Sequence, residues 1–558
     1  MFMQQLNALL DAVNAVLWHD AVLYVVLAVG LLFTLWSGFS QYRSLTHGVA
    51  VIRGKYDDAS DPGAINHFQA LSTALSGTVG LGNIAGVSVA VALGGPGAVL
   101  WMWVVGVVGM ALKFTEVTQA MLFRDLSDPN NPRGGAMWVC RKGFEKVAPG
   151  LAPLGAALGA IFCVTVLIST ITGGNMFQTW SVADTTREYF GVPTWITGVV
   201  LAVCAGAVIL GGIKRIGNVT KTLVPFKCGV YVLCGLYVIF THAEALPDCF
   251  RMIFAGAFSK TEAAGAFTGG TLGSAFMWGM KRALFSSESG LGTAPIAHAA
   301  VKTPEPATEG VVAGLEPFID TIFVCTVTAL VVLITGVWNR PAAADWAEPP
   351  AMIESPAGHW TPALQPDQLA IRASQLPANT AGTPVFIVVD SNGTRQRLYG
   401  NYETRDGVSR LAWQPLKATM APRAVEAGVF ADYRGSTLVA KGFDSVHDGL
   451  GRWLITIAVW VFGLSCIISY GYYGEQGVIY LFGERAVQPF RWLWCVAAAA
   501  ACFGFITTSA QLDTISTVGM GLMYAINLPL LLLLGSKAMA TYHGYFRRLR
   551  AGAIALKP

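Results

Sequence analysis

Charge is scarce in this chain. Only 13% of its 558 residues are Asp, Glu, Lys or Arg, whereas 54% are apolar, and the mean hydropathy is +0.53. Soluble globular chains carry roughly 25% charged residues, so the composition excludes that class and points to a polytopic membrane protein. Lys and Arg are absent from the first 42 residues. A secretory signal needs a basic segment ahead of its apolar stretch, so the first apolar helix is expected to remain as a membrane anchor. None of the ten cysteines falls between Asn339 and Gly449, the longest polar segment. Most of them lie in apolar stretches, which excludes a disulfide framework and argues against thiol chemistry. No His-rich metal motif and no Ser/His/Asp set is evident, so an enzyme is not expected, nor is a nucleic-acid partner.

Apolar runs are what the chain has in quantity. About 20 apolar residues cross a bilayer, and on that ruler eleven spans are expected. They fall at about 14–37, 67–93, 98–122, 153–179, 193–212, 223–241, 267–299, 311–336, 451–473, 490–509 and 512–535. Two are interrupted. The second carries GTVGLGN, Gly77 to Asn83, and the seventh carries LFSSESGLGTAP, Leu284 to Pro295. Glycine and small polar residues are poor helix formers, so each stretch unwinds its helix and frees backbone N–H and C=O groups. Within a membrane such groups are tolerated only where protein or a watery cavity satisfies them. With the first span set aside, the breaks fall in helices one and six of ten. That is the pattern of a five-plus-five inverted repeat, with the substrate site at the breaks of a secondary transporter.

Basic residues cluster in alternate loops: Arg43, Arg53 and Lys55; Arg124, Arg133, Arg141, Lys142 and Lys146; Lys214, Arg215 and Lys221; Arg547, Arg548 and Arg550. These loops share one face, which the positive-inside rule makes cytoplasmic. The amino terminus is then outside and the carboxyl terminus inside a plasma membrane, expected to be a bacterial inner membrane. Three parts follow: a membrane part over 1–338, an insertion over 339–449, and a second membrane part over 450–558. The insertion lies outside or in the periplasm. Strand-like TPVFIVVD and the turn signal SNGT, Ser391 to Thr394, predict a small β-rich extramembrane domain.

Several side chains are candidates for chemistry. Asn83 offers an acceptor and two donors, enough for a cation or an amino acid. The helix restarting after the first break presents N–H groups and a positive dipole end that suit a carboxylate. At the second break Phe285 can wall off a small ligand, and the hydroxyls of Ser286 and Ser287 can coordinate an ion. Glu288 is an intramembrane carboxylate, hence a functional candidate, or else a holder of unwound N–H groups or the partner of a cation. Asn175 and Gln178 share a helical face, with Gln178 a second polar contact or a helix–helix bond. Ser465 and Cys466 lie one turn before Ser469 and Tyr470, forming a stripe that can face the first break. For Lys113, Glu116, Arg282 and Asp320, paired structural roles are expected; for His298, packing or hydrogen bonding.

Residues 80–116 closely resemble the signature region of the alanine or glycine:cation symporter family. Counterparts also exist for GGNMFQ (173–178), GGIKRIGNVTKTLVP (211–225), ALFSSESGLGTAPIAHAA (283–300), FIDTIFVCTVTALVVLITG (318–336), SYGYYGE (469–475) and GLMYAINLP (521–529). The resemblance covers nearly all the membrane portion and fails over 339–449. It implies an all-α polytopic membrane protein of the LeuT type: a five-plus-five inverted repeat with broken first and sixth core helices. One extra N-terminal helix and the β-rich insertion are added to it. The implied function is symport of a small neutral amino acid, of the alanine or glycine class, into the cell with Na⁺ (occasionally H⁺), by alternating access. The alternatives are a proton-coupled or exchange carrier for another amino acid, and a non-transporting amino acid sensor. Thr78, Gly82, Asn83, Gln178, Phe285, Ser286 and Tyr470 would frame the amino acid. Na⁺ would be held by the carbonyls of Ser76, Val79 and Phe462 with the side chain of Ser465, and Cys466 completes the expected cation set. Family members usually carry Thr at Leu81, Asn at Ser287, Thr at Cys466 and Trp at Tyr470. Cysteine at 466 removes an oxygen of the kind a hard cation prefers.

Overall fold

The computed structural model describes residues 2–56, 60–147, 149–258, 273–355, 358–363, 370–371, 383–391, 393–405, 408–418, 420–433, 435–504 and 509–554. The protein is mostly helical. Seven helices are long and apolar enough to cross a membrane among the described residues, and eight if a bent pair counts as one span. That pair is His67–Thr78 with Gly82–Gly94, which bend 54° at the first break. Each expected span has a helical counterpart. The third, expected over 98–122, is the helix Ala98–Leu122. The sixth begins earlier than its apolar run, as Gly212–Thr241 with Pro225 inside it. The fifth is the shorter Thr194–Ile209, and the last extends as Ser509–Arg550. The start of the seventh, 267–272, and the stretch 505–508 of the tenth lie outside the described residues.

Local chemistry sets the element ends. Asn66 and Gln69 form a reciprocal capping box, each side chain bonded to the other's backbone N–H, and so start His67–Thr78. The second broken helix, Ser274–Ser287, stops at Glu288, whose left-handed φ of 50° is followed by Gly290 and Gly292 at φ 85° and 89°. A β-carbon is strained in that region, so the glycines of SGLG make the turn possible before Ala294–His298 resumes. Wide turns with i to i+5 hydrogen bonding occur at Gly82–Gly86, Thr170–Phe177 and Phe318–Val324. Such π-turns often mark functional positions in helices, and all three border the site described below.

A buried ion-paired seam runs beneath the second break. His67 binds Glu309, Glu309 binds His298, and His298 Nε2 lies 2.6 Å from Glu316. Lys113 continues the seam, 3.4 Å from Glu316 and 3.6 Å from Glu116. The pairing expected for Lys113 and Glu116, and the hydrogen-bonding role expected for His298, are both present.

Residues 344–431 carry the strands. The central strand Thr383–Ser391 runs antiparallel to Thr394–Arg405, which pairs in turn with Val408–Trp413. On the other side Gly428–Ala431 joins it, followed by Ala344–Asp345. Alternate residues point to opposite faces: Val385, Ile387 and Val389 enter one apolar cluster, Phe386 and Val388 another. Both faces are covered, which is why this strand reads as a continuous apolar run. Beyond the sheet, the helix Gly435–Asp444 packs on the restarting half of the first broken helix, where Ser88 Oγ donates to the Gly435 carbonyl at 2.7 Å.

Candidate transport site

The two breaks meet. Asn83 is fully buried; its Oδ1 accepts from the Gly80 N–H at 2.9 Å, which fixes the loop of the first break. Its amide N–H groups then reach across to the second break, donating to Ser286 Oγ at 3.0 Å and to Asp320 Oδ1. Ser286 donates to Asp320 Oδ2 at 2.7 Å, and Thr321 to the same oxygen at 2.8 Å. Asp320 thus does not hold Arg282 in a close pair. It collects the donors of both breaks, a role that the π-turn at Phe318–Val324 makes possible by turning Asp320 and Thr321 inward together. The Arg282 guanidinium lies instead against Gly82 and Gly86, where a β-carbon would meet it.

Around this junction stand the other expected substrate residues. Thr78 is buried, with its hydroxyl 3.5 Å from the Ala74 carbonyl. Gln178 donates from Nε2 to the Gly173 carbonyl at 3.3 Å, whereas its buried Oε1 has no hydrogen-bond partner. That oxygen faces Gly80, where a β-carbon would lie 3.9 Å from it. Tyr470 packs its ring against Gly77 and Gly174 and donates its phenol to Glu288. Phe285 stacks on Trp18 of the N-terminal helices with ring centroids 4.5 Å apart, so it ties the extra helix to the second break. Glu288 also accepts from Thr293 at 2.6 Å, and so bridges the turn of the break to the Tyr470 helix. The unwound backbone is held by neighbours: Glu116 accepts from the Gly292 N–H at 3.2 Å, and Asn527 donates to the Gly290 carbonyl at 2.8 Å.

The expected cation residues also come together, where His67–Thr78 packs on the long helix Leu450–Phe482. Ser76 Oγ donates to the Ser465 carbonyl at 2.7 Å, and Cys466 Sγ reaches the Gly77 carbonyl at 3.2 Å. The Ser465 hydroxyl lies 2.8 Å from the Phe462 carbonyl and 3.2 Å from that of Ser76. Within these oxygens sits a side chain that sequence reasoning missed. The ammonium of Lys227, fully buried on Gly212–Thr241, donates to the Val79 carbonyl at 2.6 Å and to Ser465 Oγ. It lies 3.4 Å from the Ser76 carbonyl and 5.1 Å from the centre of the Phe462 ring. The available signal was a single lysine in the apolar run after Pro225, because a charge within a span marks a functional position by default.

Residues 3–365 and 420–556 match the sodium:alanine symporter family, and the unmatched stretch lies among the strands. A sodium/alanine symporter of Methanococcus maripaludis is 42% identical over 338 residues, 61% of this chain and 73% of that one. A putative sodium/proton-dependent alanine carrier of Bacillus subtilis is 31% identical over 543 residues, 97% of this chain and 93% of that one. A probable sodium/glutamine symporter of Bacillus subtilis is 33% identical over 359 residues, 64% of this chain and 72% of that one. Among solved structures, a manganese transporter of Eremococcus coleocola covers 86% of this chain at 12% identity with a TM-score of 0.44, too low to assign topology. The long match along both membrane parts, with the signature stretches at the two breaks, carries the assignment: this chain belongs to the sodium:alanine symporter family.

Proposed function

We propose that this chain carries a small neutral amino acid into the cell together with a cation, by alternating access within a LeuT-type five-plus-five repeat. The single observation that supports this most is the junction of the two broken helices through Asn83, Ser286 and Asp320. An amino acid needs anchors for both of its ends. The N–H groups of the helix that restarts at Gly82 suit its carboxylate, and the unpartnered Oε1 of Gln178 suits its ammonium. Thr78 and Tyr470 would line the volume between them, with Ser286 and Phe285 closing the side of the second break. Tyr470, tethered to Glu288, leaves a smaller wall than the usual tryptophan and adds a phenol, which favours a substrate somewhat larger or more polar than alanine.

The oxygens of Ser76, Val79, Phe462 and Ser465, with Cys466 beside them, form the proposed coupling seat. A cation there ties the first break to the long helix, so its affinity differs between outward- and inward-facing states. That difference is what couples ion to solute. Sodium at the seat follows from the family. A proton is the second reading, favoured by one observation, the ammonium of Lys227 already lying among those oxygens. The site is tested by uptake and counterflow of a panel of radiolabelled amino acids in proteoliposomes. Asn83→Ala is expected to abolish transport while the protein is still made and inserted; normal transport by that variant would refute the site.

A further inference from the structure

A cation without a partner stands beside the first break. Arg282 lies on the second broken helix, Ser274–Ser287. Its guanidinium rests on the opening turn of the restarting half of the first broken helix, Gly82–Gly94. A β-carbon at Gly82 would collide with Nη2 and one at Gly86 with Nη1, so these two glycines, one turn apart, leave room for the fork. Nε is buried and has no hydrogen-bond partner. Among the described residues the guanidinium makes no hydrogen bond and no ion pair. The carboxylates that act on it are Asp320 and Asp513. Asp320 gives both oxygens to Asn83, Ser286 and Thr321. Asp513, near the start of Ser509–Arg550, stays beyond ion-pair distance.

An unpaired guanidinium within a membrane span is costly as structure alone and marks a functional position. Its planar fork of N–H groups fits a carboxylate through two parallel hydrogen bonds. The same loop has the opposite deficit two residues earlier. Gln178 Oε1, buried without a donor, lies 3.9 Å from where a β-carbon on Gly80 would be. Between Gly80 and Gly82 the first break is thus flanked by an acceptor that lacks a donor and a cation that lacks an anion. A zwitterion, with its ammonium and its carboxylate, satisfies both. An amine satisfies only the first and a simple carboxylic acid only the second.

We propose that Arg282 is the counter-charge of the substrate's α-carboxylate, and the residue through which this chain demands that the carboxylate be free. This inference rests on the reading of the two breaks as an amino acid site, and it adds a charged anchor to the N–H groups at Gly82. The two act on one group: the helix end supplies partial positive charge, the guanidinium a full one. They stand on different broken helices, Gly82 on the first and Arg282 on the second. A carboxylate held by both therefore ties the two helices together, and the substrate binds most tightly the state in which they lie close. The amino acid's own side chain takes no part in this contact. The demand for a carboxylate then holds for every amino acid that the pocket admits.

The test compares an amino acid with its carboxamide, in which a neutral amide of nearly equal size replaces the carboxylate. Both compete against counterflow of the labelled amino acid that exchanges best with the full chain in proteoliposomes, and both are titrated by ligand-induced thermal shift in detergent. In the native chain the carboxamide is expected to bind about tenfold to a hundredfold more weakly, the range of a hydrogen bond to a charged group. Arg282→Gln is expected to weaken the amino acid by about tenfold or more and to change the carboxamide less than about twofold, so that the preference collapses. Arg282→Lys keeps the charge without the fork and is expected to fall between; if the glutamine variant does not insert, a native preference in the lysine variant overturns the proposal. A carboxamide that binds the native chain as well as the amino acid does so too, as does a preference that survives Arg282→Gln. Equal weakening of both ligands in that variant also overturns it and leaves Arg282 a structural group or a partner of Asp513. Each of these results leaves the carrier reading intact. If no amino acid in the panel exchanges with or binds to the native chain, the carrier reading fails, and the carboxylate anchor fails with it.

Discussion

Asp320 shows how a single side chain is defined by its donors. Its carboxylate accepts from Asn83, Ser286 and Thr321 in a fully buried setting. Removing the acceptor strands donors that have no water to turn to, at about 1–3 kcal/mol for each. Asp320→Ala is therefore expected to lower the thermal midpoint of the detergent-solubilised protein and to cut uptake about tenfold or more, since 1.4 kcal/mol is a factor of ten. Uptake near the native rate would show that the junction of the breaks does not bear on transport. Tyr470 gives a prediction of a different kind. Tyr470→Trp enlarges the wall and removes the phenol that reaches Glu288, so competition uptake is expected to shift toward alanine and glycine. Unchanged selectivity would remove Tyr470 from the pocket.

At the scale of the element, the second break depends on glycine at defined positions. Gly292 has φ 89°, and a β-carbon there would lie 2.9 Å from Phe162, 3.1 Å from Ala136 and 3.2 Å from Asn527. Gly292→Ala combines a left-handed backbone penalty of about 1–2 kcal/mol with crowding on three sides, and a lower thermal midpoint is expected. Gly229, within the helix Gly212–Thr241, is the contrasting case. Nothing stands within 4 Å of its would-be β-carbon, so Gly229→Ala is expected to stabilise by about 0.5–1 kcal/mol through helix propensity alone. The two melts together separate a glycine that the turn demands from one that the helix merely tolerates.

For the whole molecule, the question is how the strand-bearing segment relates to the helices. Its two ends lie together, because Arg340 donates to the Ala431 carbonyl. The helix Gly435–Asp444 that follows touches the first broken helix through Ser88. Excising 344–431 while keeping that helix is therefore expected to leave measurable uptake; complete loss, with the shortened chain still inserted, would favour a sensor whose response needs the strands. Charge placement makes a second expectation. Arg547, Arg548 and Arg550 end the last helix, and the positive-inside rule puts them in the cytoplasm. An epitope inserted at Gly393, in the turn between the two longest strands, is expected to be labelled in intact cells, whereas one at the carboxyl terminus is expected to need permeabilisation. The reverse pattern would invert the orientation.

Much of this was readable from local chemistry. The helix Ala98–Leu122 follows a largely apolar run that begins after Gly94–Gly97 and carries Lys113 and Glu116 within it, and both breaks fall where glycine and small polar residues gather. Helix formation, unwinding and span length depend on neighbours within a few residues, so composition along the chain suffices for them. The short helix Gly435–Asp444 went unforeseen, because ten residues with a single apolar face carry little signal beside the long spans. Contacts across hundreds of residues were beyond reach for a stronger reason. Asp320 was expected to pair structurally, yet only the packing of its π-turn against both breaks delivers it to Asn83 and Ser286. Lys227 meets Ser465, 238 positions away, through the crossing of two helices whose relative rotation no local pattern specifies. By itself, then, the sequence determined that this is a multi-pass membrane protein with two broken helices and a family signature at the breaks. The tertiary structure alone decided that a lysine fills the expected cation seat, because which charge lies among which oxygens is a property of helix packing, not of the order of residues along one helix.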